Sequence, residues 1–344
     1  MSKMSGCVKG GSKSVKKKKA IVFGAGGFIG HHMVTRLKDE GYWVRGVDVK
    51  MPKFSNTEAD DFVIADLTDI VEMKCALNLE GVKVWNEIYQ FAADMGGAGY
   101  VFTGLHDLDI MLHSCLININ LLKILDQGYV GCKKLFYSSS ACIYPEENQM
   151  DVNHPYCEEL SAYPAHPDSE YGWEKLFSER LYLAFAKEHH KTEINIARFH
   201  NIFGPLGTYE GGKEKAPAAF CRKIALAKKH DIIEMWGDGK QTRSFLYISD
   251  CLDGVRKLMD CNTFFGPVNI GSETMVSINE LVNIISVIAG KSVLVEHVKA
   301  NCLGVRGRNS HNRLVMENLG WEPKLTLGEG LKMTYAWIKG ELDK

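Results

Sequence analysis

Tyr171 and Lys175 stand one helical turn apart in Tyr171-Gly172-Trp173-Glu174-Lys175, a spacing that puts a phenol and an ammonium on one helix face. A lysine in that place favours the phenolate and lowers the phenol's pKa, and a serine hydroxyl can hydrogen-bond the same substrate oxygen. Ser140, last of the run Ser138-Ser139-Ser140, is the candidate for that hydroxyl. The three groups together can take a proton from an alcohol. Cys142 stands just beyond Ser140, where a second acid or base reaches a neighbouring carbon of the same substrate. The apolar run Lys134 to Phe136 reads as a buried strand, so the serines and Cys142 are expected at its carboxyl end, the edge where open α/β sheets bind ligands.

The elements that must hold these groups begin at Lys19. A strand, Ala20 to Phe23, leads into Gly24-Ala25-Gly26-Gly27-Phe28-Ile29-Gly30 and a helix from about His31 to Glu40. Gly24, Gly27 and Gly30 form a GxxGxxG that lets the backbone turn tightly and approach a pyrophosphate at the helix amino terminus, flanked by Phe28 and Ile29. The next strand, Trp43 to Val47, ends in Asp48, whose carboxylate accepts from ribose hydroxyls and repels a 2'-phosphate. The cofactor expected is NAD rather than NADP. Phe62 to Ala65 leads to Asp66-Leu67, placed to contact adenine. Val84 to Tyr89 leads to Phe91-Ala92-Ala93-Asp94-Met95-Gly96-Gly97, where small residues such as Ala92 and Gly96 let the backbone lie near the ligands. Helices are expected over Asp109 to Asp126 and Tyr171 to His189, and a strand over Glu193 to Arg198. This alternation predicts an α/β fold with a Rossmann-type doubly wound parallel sheet.

A chain of 344 residues with 45% hydrophobic side chains buries a large core, and a formal charge of -1 gives no reason to expect a nucleic acid partner. No apolar run reads as long enough to span a bilayer, and the start of the chain lacks the apolar segment of a secretory signal, so the expected place is the cytoplasm. Ten cysteines without CxxC pairs argue against a metal site or a disulfide framework. Three regions are expected: a disordered basic tail over 1–18, an NAD-binding domain over 19–198, and a smaller, interleaved C-terminal substrate domain over 199–344.

The glycine pattern, Asp48, Asp66-Leu67, the triple serine and YxxxK together resemble the extended short-chain dehydrogenase/reductase superfamily. Phe91 to Gly97, Ser139-Ser140-Ala141-Cys142-Ile143-Tyr144-Pro145-Glu146 and Gly211 to Phe220 resemble, more narrowly, the GDP-mannose 3,5-epimerase family, over essentially the whole globular part. That resemblance implies epimerisation of GDP-D-mannose at C3 and C5 to GDP-L-galactose, with GDP-L-gulose as side product, through a transient 4-ketone that makes the neighbouring hydrogens acidic. It implies Lys215 as the acid/base counterpart of Cys142, although by spacing alone Lys215 is equally a solvated lysine of the loop Leu206 to Ala216, an exposed lid. It implies substrate contacts from Gly96, Ala141, Asn201, Glu214, Lys215, Ala216, Gln241 and Arg243. Arg243 and Arg306 are expected on the pyrophosphate with Lys223 as a third, because guanidinium forks bind phosphate in pairs, while Arg222 and Arg308 are expected to brace the fold. A homodimer through the two long helices is implied by the same resemblance. Ser114 replaces the asparagine common in relatives, and Trp173 is bulkier than usual and faces either the lid or the core.

Competing readings differ at named residues. A GDP-fucose synthase would want a histidine after the Gly-Pro turn and NADPH, where this chain has Pro205-Leu206 and Asp48. A 4,6-dehydratase would want a carboxylate beside Cys142, and a simple 4-epimerase leaves Cys142 and Lys215 without a task. A scaffold that binds NAD without turnover leaves Ser140, Tyr171 and Lys175 without one.

Overall fold

The structure, a computed structural model, describes residues 17–228, 230–299 and 304–344. Most of the basic tail expected over 1–18 therefore lies outside the described residues. The chain builds β1 Lys19–Phe23, α1 Phe28–Asp39, β2 Trp43–Asp48, β3 Asp61–Ile64, α2 Ile70–Leu77, β4 Val84–Gln90, α3 Ala98–Val101, α4 Asp107–Asp126, β5 Gly131–Ser140, α5 Glu170–Glu188 and β6 Glu193–Phe199. Beyond these come α6 Ala216–Leu226, α7 Ile248–Asp260, α8 Ile278–Ala289, α9 Arg313–Leu319 and α10 Leu327–Leu342, with short strands between them.

Six strands and a returning one, Val268–Ile270, form a seven-stranded sheet in the order Val268–Ile270, β6, β5, β4, β1, β2, β3. Every pair in it is parallel. Parallel strands must be covered on both faces, which is why β1 reads as an unbroken apolar run. Met33, Val34 and Leu37 of α1 pack with Leu252, Val255 and Met259 of α7 on one face. Met73 of α2, Leu121 and Ile124 of α4 and Tyr182 of α5 pack on the other. The strand order reverses between β1 and β4, so the crevice of the doubly wound sheet opens above their carboxyl ends. A separate core of Phe220, Ile224, Leu281, Ile285, Leu331 and Ile338 holds α6, α8 and α10 together. Capping boxes, Ser277 with Glu280 and Thr326 with Glu329, start α8 and α10; each cap contributes about 1 kcal/mol.

Three expectations are corrected in detail. β5 runs on through the serines, because Ser138, Ser139 and Ser140 pair with Ala197, Arg198 and Phe199 of β6. Helix α1 starts at Phe28, so Gly30 lies inside its first turn. Among the described residues one helix, α4, is long and apolar enough to cross a bilayer by length and composition, with a mean hydropathy of 1.5, and half of that window is buried in the fold. Its buried Asn118 and Asn120 hydrogen-bond to α5, β4 and the loop after β3, as befits a helix packed on a sheet.

Candidate active site

At the end of β1 the glycines make a cradle that side chains would fill. Gly24 has φ +82°, and a Cβ on Gly30 would sit 2.2 Å from the Gly24 carbonyl oxygen. A Cβ on Gly26, which the GxxGxxG reading leaves unassigned, would sit 2.1 Å from the Lys50 carbonyl oxygen and 2.9 Å from Asp48 Cγ. Asp48 accepts from the Gly26 N–H at 3.0 Å and the Lys50 N–H at 3.2 Å, so its place is set by backbone, while burial raises its pKa. Among the described residues no side chain caps α1, which leaves its first N–H groups for an anion. These residues fit a dinucleotide. Asp66 is exposed at the end of β3 with its carboxylate on Thr68, whereas the Leu67 side chain is buried in the core and its carbonyl is taken by Asn120. Leu67 therefore offers no side chain to adenine. Ala92 is tied to Gln90 through both backbone groups.

Of the three serines only Ser140 faces the crevice. Ser138 Oγ donates to the Gln90 carbonyl at 3.1 Å, and Ser139 Oγ donates to Glu179, itself in a buried 2.9 Å pair with Arg198. Ser140 Oγ accepts from the Cys142 N–H at 3.2 Å and is close enough to the Tyr171 phenol to lower its pKa. The turn carrying buried Ala141 and Cys142 touches α5 because residue 172 is glycine: a Cβ there would sit 2.2 Å from the Cys142 carbonyl oxygen. Gly172 is thus needed to bring Cys142 beside Tyr171. Periodicity could not reveal this, since the contact is made across sequence.

Lys175 is buried, donates to the Ser138 carbonyl at 3.1 Å, and holds its ammonium 5.8 Å from the Tyr171 ring centroid. The expectation that this cation lowers the Tyr171 pKa is not met in the protein alone. Burial, and then the neighbouring Cys142 charge, raise it well above its ordinary value, against the Ser140 hydrogen bond. The Lys175 pKa is itself lowered by burial, against the carboxylate of Glu174 at 3.9 Å.

Arg308, expected only to brace the fold, is the cation on the cysteine. It donates to Cys142 Sγ at 2.9 Å, to Asp168 Oδ2 at 3.1 Å and to Gln149 Oε1. Burial pulls its pKa down, but the charges of Cys142 and Asp168 outweigh that and raise it. The signal that could have found it is register: Gly307–Arg308 is an edge strand pairing with Thr242–Ser244, which sets Arg308 beside Arg243. Arg243 spends two donors on the Thr242 and Val305 carbonyls, at 2.8 and 2.7 Å, and among the described residues no carboxylate lies within ion-pair distance. Burial and then the Arg308 charge bring its pKa down to about 10. An arginine so placed is ready for an anion. Arg306 instead lies at the rim, paired with Asp238 at 3.1 Å.

Lys215, at the amino end of α6, is close enough to Cys142 for their charges to interact; burial lowers its pKa, and Cys142 and Cys251 oppose that. The lid before it is pinned on both sides. The Gly97 N–H donates to the Lys213 carbonyl at 2.9 Å, and a Cβ on Gly97 would sit 2.2 Å from the Glu214 carbonyl oxygen. The Lys213 ammonium lies 3.7 Å from the Tyr100 ring centroid and 3.4 Å from Asp94. Thr208 and the tip, 210–213, are the exposed part of the lid, and Tyr209 stacks on Phe54 beneath it. Glu214 accepts from the Gly212 N–H at 2.6 Å and lies 3.6 Å from Arg222, which also donates to the Tyr209 carbonyl. Ala216 begins α6, and Gly96 packs on Tyr100. Asn201 takes φ 45° and donates to the Ser244 carbonyl at 2.9 Å, Gln241 Oε1 is buried without a partner among the described residues, and Lys223 donates to the Glu234 carbonyl at 2.7 Å. Ser114 is buried and accepts from the Asp94 N–H at 3.1 Å. Trp173 faces neither lid nor core but lines an outer groove with Met111, Cys115, Ile119 and Phe177. Among the described residues no cluster suits a metal ion, and the eight cysteines are free.

The family model described as the NAD dependent epimerase/dehydratase family matches residues 20–271. A GDP-mannose 3,5-epimerase of Arabidopsis thaliana is 43% identical over 328 residues, covering 95% of this chain and 83% of its own length. GDP-mannose 3,5-epimerase 1 of Oryza sativa subsp. japonica is 42% identical, covering 96% and 84%. Among solved structures, a Thermotoga maritima UDP-glucose 4-epimerase with UDP-glucose superposes with a TM-score of 0.76 at 25% identity, covering 94% of this chain and 99% of its own. A Thermus thermophilus UDP-glucose 4-epimerase in complex with NAD shares the fold with a TM-score of 0.80 at 21% identity, with the same coverage.

Proposed function

The chain belongs to the NAD dependent epimerase/dehydratase family, and on that premise we propose that it converts GDP-D-mannose to GDP-L-galactose by epimerisation at C3 and C5, with GDP-L-gulose as the product of C5 epimerisation alone. The chain is an NAD-dependent isomerase. The observation that carries the substrate reading is the second acid/base pair. Beside Tyr171, Ser140 and Lys175, which suffice for an alcohol, Cys142 and Lys215 lie within electrostatic reach of one another. A 4-epimerase has no use for that pair.

Bound in the glycine cradle and on Asp48, with Tyr171 and Lys175 beside it, NAD supplies a hydride acceptor and a positive charge. Tyr171 takes the proton of the sugar 4-hydroxyl, with Ser140 hydrogen-bonded to the same oxygen. A ketone at C4 acidifies C3 and C5. Cys142 then removes a proton from one face and Lys215 returns one from the other, while Arg308 holds the sulfur. Arg243 and Lys223 take the pyrophosphate, with Arg306 closing from the rim once it leaves Asp238, and Asn201, Gln241, Gly96, Ala141, Glu214 and Ala216 line the remaining contacts. Incubation with GDP-D-mannose in heavy water tests this: deuterium is expected at C3 and C5 of galactose- and gulose-configured products without added reductant. Exchange at neither carbon, with NAD bound, would move the assignment to another nucleotide sugar.

The working form is a homodimer across α4 and α5. Leu112, Ile119, Trp173 and Phe177 on that face are 48, 39, 39 and 46% exposed, which supports a covered surface. The reaction is placed in the cytoplasm, where the Cys142 thiol stays reduced. Sedimentation of the purified protein and cell fractionation check the two statements.

A further inference from the structure

Glu174 is fully buried, with no side-chain surface exposed, directly before the lysine of the catalytic helix. Its Oε1 accepts from Ser178 Oγ at 2.7 Å and from Asn118 Nδ2 at 3.2 Å. Among the described residues its Oε2 has no hydrogen-bond partner, and it lies 3.9 Å from Lys175 Nζ. Glutamate is among the residues least often buried completely, and a carboxylate oxygen left bare in the interior is costly unless a charge faces it. The charge that faces it is Lys175. Asn118 is in turn fixed by Gln90 and Tyr182, so the carboxylate cannot swing away from the ammonium.

We propose that Glu174 is a positioning residue that neutralises the Lys175 ammonium from beneath and so sets the pH range in which Tyr171 exchanges a proton with its substrate. The groups facing this pair are Tyr171, Glu179 and Tyr182 on α5, Cys115 on α4, Tyr137 on β5 and Cys142 on the turn after it, and Tyr171 is also faced by Arg308 of the edge strand, which lowers its pKa. Lys175 is the cation within ion-pair distance of Glu174. An unopposed ammonium beside Tyr171 would shift the phenol toward the phenolate, against the burial that keeps it protonated, and a phenolate so favoured returns its proton less readily. Opposed by Glu174, the ammonium stabilises the phenolate less, and the proton taken from the alcohol can be given back. An epimerase that must both open and close its cycle at one hydroxyl needs that reversibility. The shifts agree in direction: Glu174 raises the pKa of Tyr171 after burial and Cys142, and after burial it is the cause that pushes the Cys115 thiol up to about 11.

The inference rests on Tyr171 being the base, but its test needs no sugar substrate. The NAD-loaded protein is titrated with alkali and tyrosinate absorbance is followed, with Tyr171→Phe subtracted to isolate the one phenol. In Glu174→Gln the Tyr171 midpoint is expected to fall by one pH unit or more, about a tenfold change in ionisation, because a neutral amide cannot oppose the ammonium. Ser178→Ala, which removes a hydrogen bond but keeps the carboxylate, is expected to leave the midpoint in place. A midpoint unmoved in Glu174→Gln, or moved equally in Ser178→Ala, overturns the inference. Should Glu174→Gln fail to fold, the pair Glu174→Gln with Lys175→Met decides. Recovery of folding supports neutralisation, and a double variant as unstable as the single one overturns it. If the midpoint shifts while GDP-D-mannose is not turned over, the substrate reading fails and this inference stands.

Discussion

Replacing Arg308 with methionine separates holding the fold from holding the sulfur. Arg308 and Asp168 expose only 7 and 4% of their side chains, and they meet at 3.1 Å. Removing the guanidinium leaves the buried Asp168 carboxylate without its ion-pair partner, which costs about 3–5 kcal/mol in a buried pair. Asp168→Asn leaves Arg308 with Cys142 and Gln149 as partners, so its expected cost is smaller, about 2–3 kcal/mol. The double variant removes both charges, and its expected cost is near that of Arg308→Met alone. The coupling is therefore about 2–3 kcal/mol, where independent sites agree to roughly 0.5 kcal/mol. Urea unfolding of the four proteins at one saturating NAD concentration measures it. The chemistry gives a second reading. The 2.9 Å contact on Cys142 Sγ is one charge-assisted hydrogen bond, and its loss should slow deuterium entry at C3 and C5 by about 10- to 150-fold, or ~1.5–3 kcal/mol. Arg308→Lys keeps the charge but not the fork, and should recover part of that. Additive unfolding energies together with undiminished exchange in Arg308→Met would refute the reasoning.

Cys142→Ala should still show nicotinamide absorbance on mixing with GDP-D-mannose yet incorporate no solvent deuterium at C3 or C5; full turnover would remove the thiol from the chemistry. Gly30→Ala puts a Cβ 2.2 Å from the Gly24 oxygen, so NAD retention in equilibrium dialysis should fall at least about tenfold, and unchanged affinity would contradict the cradle. His200 is buried with its Nε2 2.9 Å from Asn269 Oδ1, and burial lowers its pKa from 6.5 to about 3. The unfolded chain then binds the proton more readily. The stability from neutral His200 is complete above pH 6.5 and is lost as pH falls through that value toward 3, at up to about 1.4 kcal/mol per pH unit. His200→Gln should flatten the acid limb of a urea-midpoint profile by about one proton, and an unchanged slope would count against it.

The sequence by itself determined the sheet, the glycine cradle with Asp48, and the Tyr171–Lys175 face, because each depends on spacing within one or two elements. Strand periodicity and helical turns are local, and local rules read them. What tertiary structure decided is what surrounds those groups. Arg308 reaches Cys142 only because its edge strand pairs beside Thr242–Ser244, a register set by packing of distant segments. Gly172 has its purpose only where α5 meets the Cys142 carbonyl, and the inward turn of the Leu67 side chain is set by its packing in the core on that face. The sign of the Tyr171 shift followed the same rule: a lysine at helical spacing is visible in sequence, but the burial that overrides it and the Glu174 carboxylate that opposes it are properties of the closed interior. Electrostatics in a buried site depends on all charges within several ångströms and on the exclusion of water, and neither quantity exists until the chain has folded.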